Sequence, residues 1–209
     1  ILTQNTNPMK KNIPFLIYLN LIILIPLFSS IPLTAQVQTG KSYINVSKNL
    51  AGGTFEPGDT LEIRATIAVG SFSNFSITQA RYTDTINSNF TYLPGTLKIL
   101  TNEGLVFRAY TDAASDDKAM FNNTNKTLRI NLGNTAGNAT NTGNATTGGG
   151  TIAYNNKPSF YGGVCIMVAS FRVRINSSLT YNTLLTMPGG AFRYTQSSSA
   201  VIASFAPSN

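Results

Sequence analysis

Nine residues in strict alternation, Leu61 to Val69, constrain this chain more than any other stretch in it. Leu61, Ile63, Ala65, Ile67 and Val69 take one set of places, and Glu62, Arg64, Thr66 and Ala68 take the other. A period of two puts successive side chains on opposite faces of a strand, so the first set meets a core and the second meets water. That division suits an antiparallel sheet in a sandwich. Pro57-Gly58-Asp59-Thr60 precedes the strand with turn chemistry: Pro fixes φ, Gly accepts positive φ and Asp bonds nearby backbone. A charge at Ile63 should therefore be costly, whereas Glu62 should tolerate substitution.

Further strand-like runs follow, with turn signals between them and no sustained helical period. They include Ser42–Lys48, Ile77–Asp84, Phe90–Leu93, Thr96–Leu100, Leu105–Tyr110, Lys126–Leu132, Gly163–Ile175, Gly190–Gln196 and Ala200–Phe205. Such punctuation predicts an all-β fold, an antiparallel sandwich of nine to eleven strands. Leu61, Ile63, Ile67, Leu128, Ile130, Val168, Phe171 and Val173 are the expected core. Gly133 to Gly150 holds Gly, Asn, Thr and Ala without charge or large apolar residues, which predicts a mobile surface loop.

The N-terminal part reads as a targeting segment. Lys10 and Lys11 precede an apolar run from Ile13 to Phe28, and small residues lead to Thr34-Ala35-Gln36. This is the tripartite layout of a secretory signal peptide, with cleavage expected after Ala35. Pro14, Pro26, Pro32 and Asn20 argue against a retained membrane anchor. Residues 1–8 precede Met9 and read as a non-native or untranslated leader. The mature part, residues 36–209, then forms a single domain, expected to be a fragment of a longer chain, with an extracellular or outer-surface location.

Composition narrows the chemistry. The chain has no His and one Cys, Cys165, within the apolar run Val164–Val168. Catalysis by a Ser-His-Asp or Cys-His group is excluded, as are imidazole zinc sites. Cys165 reads as a buried structural thiol, since no cation or base flanks it. Without Lys10 and Lys11 the net charge of +7 falls to +5, spread singly as at Arg64, Arg81, Arg108, Arg129 and Arg193, with Arg172 and Arg174 the densest pair and without the clustering of a nucleic-acid stripe. No nucleic-acid partner is expected.

Several of these features, in this order, resemble the bacterial surface repeat domain known as the domain-of-unknown-function-eleven family. Lys48 closes the first strand, and Pro57-Gly58-Asp59-Thr60 opens the alternating one. Tyr82-Thr83-Asp84-Thr85-Ile86 and Phe90-Thr91-Tyr92-Leu93-Pro94-Gly95-Thr96 follow, and Ala169–Ile175 with Ala191–Thr195 match the closing strand pair. The resemblance covers roughly Tyr43 to Phe205. It implies an immunoglobulin-like sandwich in an exported protein, with neighbouring repeat domains of the same chain as partners and no catalytic residues. The cleavage segment is similar to signal peptides of the Bacteroidetes.

Asp112, Asp116 and Asp117 form the sole acidic cluster and are a candidate calcium site, the one metal or cofactor the sequence suggests. Lys48 invites an isopeptide bond to Asn176 or Asn131. Thr60 and Thr85 follow Asp in patterns that resemble Bacteroidetes O-glycosylation acceptors. Tyr154, Phe160 and Tyr161 flank Lys157-Pro158 and could stack on sugar rings. Paired-carboxylate catalysis is the one enzymatic route left open by composition. The expected function is a non-catalytic structural or adhesive module of an exported cell-surface protein, meeting a surface protein or glycan. The alternatives are a carbohydrate-binding module using the aromatic loop, or an accessory domain of a larger secreted enzyme.

Overall fold

The computed structural model describes residues 37–51, 54–70, 76–101, 107–140, 148–153, 164–183, 185, 189–196 and 199–205. Its strands are β1 (Val37–Asn45), β2 (Leu50–Ala51), β3 (Thr60–Gly70), β4 (Ser76–Thr85), β5 (Phe90–Tyr92), β6 (Lys98–Thr101) and β7 (Phe107–Ala109). They continue with β8 (Ala119–Asn122), β9 (Thr127–Asn131), β10 (Gly150–Ala153), β11 (Val164–Ile175), β12 (Ala191–Gln196) and β13 (Ser199–Ser204). The fold is all-β, a two-sheet antiparallel sandwich. One sheet has seven strands in the order β2-β1-β3-β11-β6-β7, with β5 also on β11. The other has six in the order β13-β12-β4-β9-β8, with β10 also on β4.

The alternating strand is β3, and its phase is as the sequence requires. Leu61, Ile63, Ala65, Ile67 and Val69 are fully buried. The preceding turn closes through Asp59 N–H donating to the Glu56 carbonyl at 3.0 Å, with Gly58 at φ 91°. This is the positive φ that favours Gly at the third place of such a turn. Core rows then run across the first sheet in register: Tyr43, Ile63 and Phe171 form one, and Asn45, Leu61 and Val173 another. Burying a side chain such as Ile63 contributes about 1.5–3 kcal/mol.

The inward row beyond these is unusual. Lys41 on β1 lies opposite Ala65, which lies opposite Ala169 on β11. Two small residues leave room for a lysine stem to lie between the sheets.

In the second sheet β4 carries a bulge. Partners on β10 step from Gly150 to Ile152 while β4 steps from Ala80 to Ile77, and β12 steps from Arg193 to Thr195 while β4 steps from Arg81 to Thr78. Gln79, at φ 56°, lies in the extra step. Ile77 and Ala80 are thereby both buried although three residues apart.

Four expectations need correction. Val168 is not core: the inward set of β11 is Met167, Ala169, Phe171, Val173 and Ile175, while Val168 pairs with the exposed Leu100. An unbroken apolar run carries no phase, and the alternation after Phe171 sets it. Glu62 is not a freely solvated residue. It is 9% exposed and accepts from Arg64 (2.8 and 3.0 Å) and Arg172 (3.2 and 3.3 Å). The strands number thirteen among the described residues, because the short β2, β8 and β10 have no alternation to reveal them.

The fourth concerns Gly133 to Gly150, whose described parts, 133–140 and 148–150, are tied to the sandwich. Ala139 is fully buried, its N–H donates to the Asp117 carbonyl and its carbonyl accepts from Ser115 N–H, both at 2.7 Å. Gly137 N–H donates to the Gly148 carbonyl at 2.9 Å, and Gly150 opens β10. A small residue can be buried as readily as a large one where backbone bonds hold it, which composition does not register. The segment 1–36, with its expected signal peptide, lies outside the described residues, as do Tyr154, Phe160, Tyr161 and the Cys165 side chain.

Candidate functional site

The acidic cluster is divided between two structural tasks. Asp112 accepts from the Tyr92 hydroxyl and from Gly95 N–H, at 2.7 Å for the latter. Burial first, and then the bond and charge of Asp112, hold the Tyr92 phenol far above its ordinary pKa, so it stays a donor. Tyr92 also stacks on Phe121, ring centroids 4.0 Å apart. Asp116 and Asp117 instead accept from Thr111, Asp117 N–H and Ala119 N–H within their own loop. Among the described residues no group of three His, Cys, Asp or Glu side chains converges to hold a metal ion.

Asp59 and Asp84, which precede the two candidate acceptors, differ in role. Asp59 Oδ2 accepts from Asn45 Nδ2 at 2.8 Å and Glu56 N–H at 2.9 Å, with Lys48 Nζ at 3.4 Å. Burial pushes its carboxyl up, but the Glu56 N–H, the Asn45 amide and Lys48 outweigh that and hold it below its ordinary value. Thr60 beside it is half-buried, and Thr85 beside Asp84 is exposed.

Asp84 faces inward. Its Oδ2 lies 2.6 Å from Lys41 Nζ, across the sandwich, and both side chains are 1% exposed. The Tyr82 hydroxyl donates to the same oxygen at 2.7 Å, and Thr85 N–H to Oδ1 at 2.7 Å. Burial, then the charge of Asp84 and the bond to it, raise the Tyr82 pKa well above the ordinary phenol. Phe205 closes on the Tyr82 ring edge-on at 5.3 Å. Gly190, at φ 74°, is required: a Cβ there would stand 3.0 Å from Asp84 Cγ and 3.1 Å from the Tyr82 hydroxyl. A cavity of ≈ 10 Å³ adjoins Lys41, lined by Ile86, Phe90, Phe171 and Val173 among others. This clamp joins β1 of one sheet to β4 of the other.

Amide formation would need a buried amine touching a carboxyl group, and Lys41 with Asp84 meets that requirement. Lys48 does not: its side chain is 29% exposed and bridges Glu56 and Asp59. Asn176 bonds Thr91 and the Ser88 carbonyl, and Asn131 bonds Arg129 and the Gly137 carbonyl. Neither is brought to Lys48.

A groove of ≈ 720 Å³ lies on the outer face of the second sheet. Three arginines from three strands line it. Arg81 on β4 lies opposite Arg193 on β12, and Arg129 on β9 lies opposite Thr83, two residues along β4 on the same face. Arg81 and Arg129 are 8% and 7% exposed. Burial first, then the charges of Arg129 and Arg193, pull the Arg81 guanidinium below its ordinary value, though not far enough to discharge it. Arg129 Nε donates to Asn131 Oδ1 at 2.8 Å, and Asn131 Nδ2 to the Gly137 carbonyl at 2.9 Å. Gly148 backs this pair, since a Cβ there would lie 3.1 Å from an Arg129 nitrogen. Among the lining residues Asp84 is the one acid, and its carboxylate is turned to Lys41 and Tyr82.

Neither the clamp nor the groove was legible as a site beforehand. The arginines look scattered in sequence because strand order, not chain order, makes them neighbours. The weak signal for Lys41 was its place in the set Val37, Thr39, Lys41, Tyr43, Asn45, all on one face of β1.

No family model matches the chain, that of the surface repeat domain included, and no curated protein matches it. Solved structures do. The major pilin subunit of Bacillus cereus matches with a TM-score of 0.47 at 7% identity, over 82% of this chain and 39% of that one. The pilus backbone of Streptococcus pneumoniae matches with a TM-score of 0.41 at 12% identity, over 76% and 53%. The collagen-binding domain of a Staphylococcus aureus adhesin matches with a TM-score of 0.43 at 12% identity, over 83% and 95%. The chain thus spans well under two thirds of either pilus protein.

Proposed function

We propose that this domain is a non-catalytic structural and adhesive module of an exported cell-surface protein, set among neighbouring domains of a longer chain. One observation carries the reading: every acidic side chain in the described residues already accepts from a cation or a hydrogen-bond donor of the domain itself. Glu56 and Asp59 hold Lys48, Glu62 holds two arginines, Asp84 holds Lys41 and Tyr82, and Asp112, Asp116 and Asp117 hold loop backbone or Tyr92. A glycosidase needs two carboxyl groups free to face a substrate, one of them kept protonated. Glu56 and Asp59 share a cation instead, and burial of Asp59 is outweighed by its donors. A buried charge pair between the sheets suits a part that resists separation of its layers.

Export and surface location follow from the N-terminal segment. Among the described residues no helix is long and apolar enough to cross a membrane. Calcium at the Asp112 loop and glycosylation of Thr60 or Thr85 remain secondary proposals, the exposed Thr85 being the more accessible acceptor. The reading is tested by incubating the purified domain with a panel of glycoside and polysaccharide substrates. No turnover is expected. Turnover that disappears in Glu56→Gln or Asp59→Asn would overturn it.

A further inference from the structure

We propose that the open edge of β13 pairs with β13 of a second copy of this chain about a two-fold axis, so that the second sheets of two domains join into one. The inference rests on the adhesive reading above and gives it a partner.

The first argument is which backbone groups are free. β13 ends the order β13-β12-β4-β9-β8, and among the described residues no strand lies on its far side. In an antiparallel ladder alternate residues turn both N–H and C=O to the partner, and the rest turn both away. Phe205 N–H donates to the Gly190 carbonyl at 3.2 Å, one step beyond the pair Ala191–Ser204. Ala203, Val201 and Ser199 therefore bond β12, while Ser204, Ile202 and Ala200 face outward. The Ser204 carbonyl accordingly accepts from Thr39 Oγ1 on β1, at 3.2 Å. That contact bounds the stretch and leaves Ala200 and Ile202 with both groups open.

The second is the lack of a guard. Proteins blunt exposed edges with charge, Pro, short strands or a covering segment. Ser199-Ala200-Val201-Ile202-Ala203-Ser204 has no charge, no Pro and no Gly, and Ile202 is 56% exposed. Other strands are protected. On β8 the Phe121 N–H donates to the Asp112 carbonyl at 3.0 Å and the Ala119 N–H to Asp117 Oδ1 at 2.8 Å. β7 is three residues long and carries Arg108, β2 is two residues long, and β1 carries Lys41 inward.

The third is self-fit. Val201 and Ala203 pack toward the core, so Ala200 and Ile202 share the outer face. Antiparallel pairing that sets Ala200 against Ile202 of the second copy, and Ile202 against its Ala200, exchanges both bonds at each pair. Each large side chain then lies beside a small one. A charged partner strand would find no charge on β13 to match. Arg193, opposite Ile202 on β12, would stand three strand spacings from its copy, about 14 Å, beyond the screening length of about 8 Å. A two-fold contact uses the same patch on both copies and closes at two.

The test is sedimentation equilibrium of the purified protein from about 10 μM to about 1 mM, the range of a weak association. The average mass should rise toward twice that of the monomer. Amide exchange at Ala200 and Ile202 should slow as concentration rises, more than at Val201 and Ala203. Ile202→Pro removes an outward N–H and none that β12 uses, and should abolish the rise. Ile202→Lys should weaken association at least about tenfold, since a lysine guards an edge. Tyr181→Lys makes the same kind of change at a residue 76% exposed outside the edge, and should have no effect. Unfolding curves verify that the variants fold, and if Ile202→Pro does not, Ile202→Lys decides. A monomer at every concentration overturns the pairing. So does association that both Ile202 variants leave unchanged, that Tyr181→Lys weakens equally, or that grows past two copies. A monomer without turnover refutes this inference alone, whereas turnover refutes the non-catalytic reading whatever the mass.

Discussion

The Lys41–Asp84 clamp gives the sharpest energetic test. Nζ and Oδ2 are 2.6 Å apart with both side chains 1% exposed, so almost none of their interaction is spent on water. Removing one member of such a pair leaves an uncompensated interior charge, at a cost of about 3–5 kcal/mol. The two single changes should differ. Lys41→Met leaves a carboxylate that still accepts from Tyr82 and Thr85, so its cost should fall at the low end, about 3 kcal/mol. Asp84→Asn takes the negative charge away from three donors at once, Lys41, Tyr82 and Thr85, so its cost should approach about 5 kcal/mol. The double variant removes both charges and keeps an amide for Tyr82 and Thr85, and should lie within about 1–2 kcal/mol of the parent. Urea unfolding measures all four proteins, and a domain of this size loses roughly 2–4 °C in Tm per kcal/mol. The coupling should also be insensitive to salt, because a buried pair is poorly screened. Additive single effects would refute the reasoning. Intact mass is read first, with the full sequence mass expected for an ion pair. A chain lighter by one water would mean that Nζ had attacked Cγ to form an amide, and would refute the ion-pair arithmetic.

Ile63→Asp should cost several kcal/mol by burying an unpaired charge, and Glu62→Lys about 1–2 kcal/mol by setting a third cation between Arg64 and Arg172; denaturant midpoints compare them. Asp59 and Glu62 are held below their ordinary values of 3.8 and 4.5, in each case against an upward push from burial, by hydrogen-bond donors and neighbouring cations. Their contribution is complete above those ordinary values and is lost as pH falls through the depressed folded ones, so acid unfolding should begin below about pH 4.5 and Glu62→Gln should flatten the slope. Gly190→Val should cost about 2 kcal/mol or more, since φ 74° disfavours a side chain and the Cβ would press on Asp84, as thermal unfolding would reveal. Replacing 133–150 by a short Gly-Ser turn should lower the melting temperature, because Ala139 and the Asn131–Gly137 bond would be lost; an unchanged value would restore the view of that segment as idle.

What the sequence determined by itself was the kind of fold and the phase of its clearest strands. Period two at Leu61–Val69, and at Leu128, Ile130 and Leu132, is a local consequence of strand geometry, so it is legible without any partner strand. The Pro57-Gly58-Asp59 turn is legible for the same reason, since φ preferences belong to single residues. Tertiary structure alone decided the rest. The bulge at Gln79 shifts the phase of β4, and nothing in Ile77–Asp84 announces it. The inward Lys41 looks like a surface charge until Ala65 and Ala169 open room for it and Asp84 arrives from the other sheet. Arg81, Arg129 and Arg193 are separated by dozens of residues in the chain and become neighbours only through the order β12-β4-β9. Local patterns report the face a residue takes. Which charges meet there depends on strand pairing, a long-range property set by the packing of the whole sandwich.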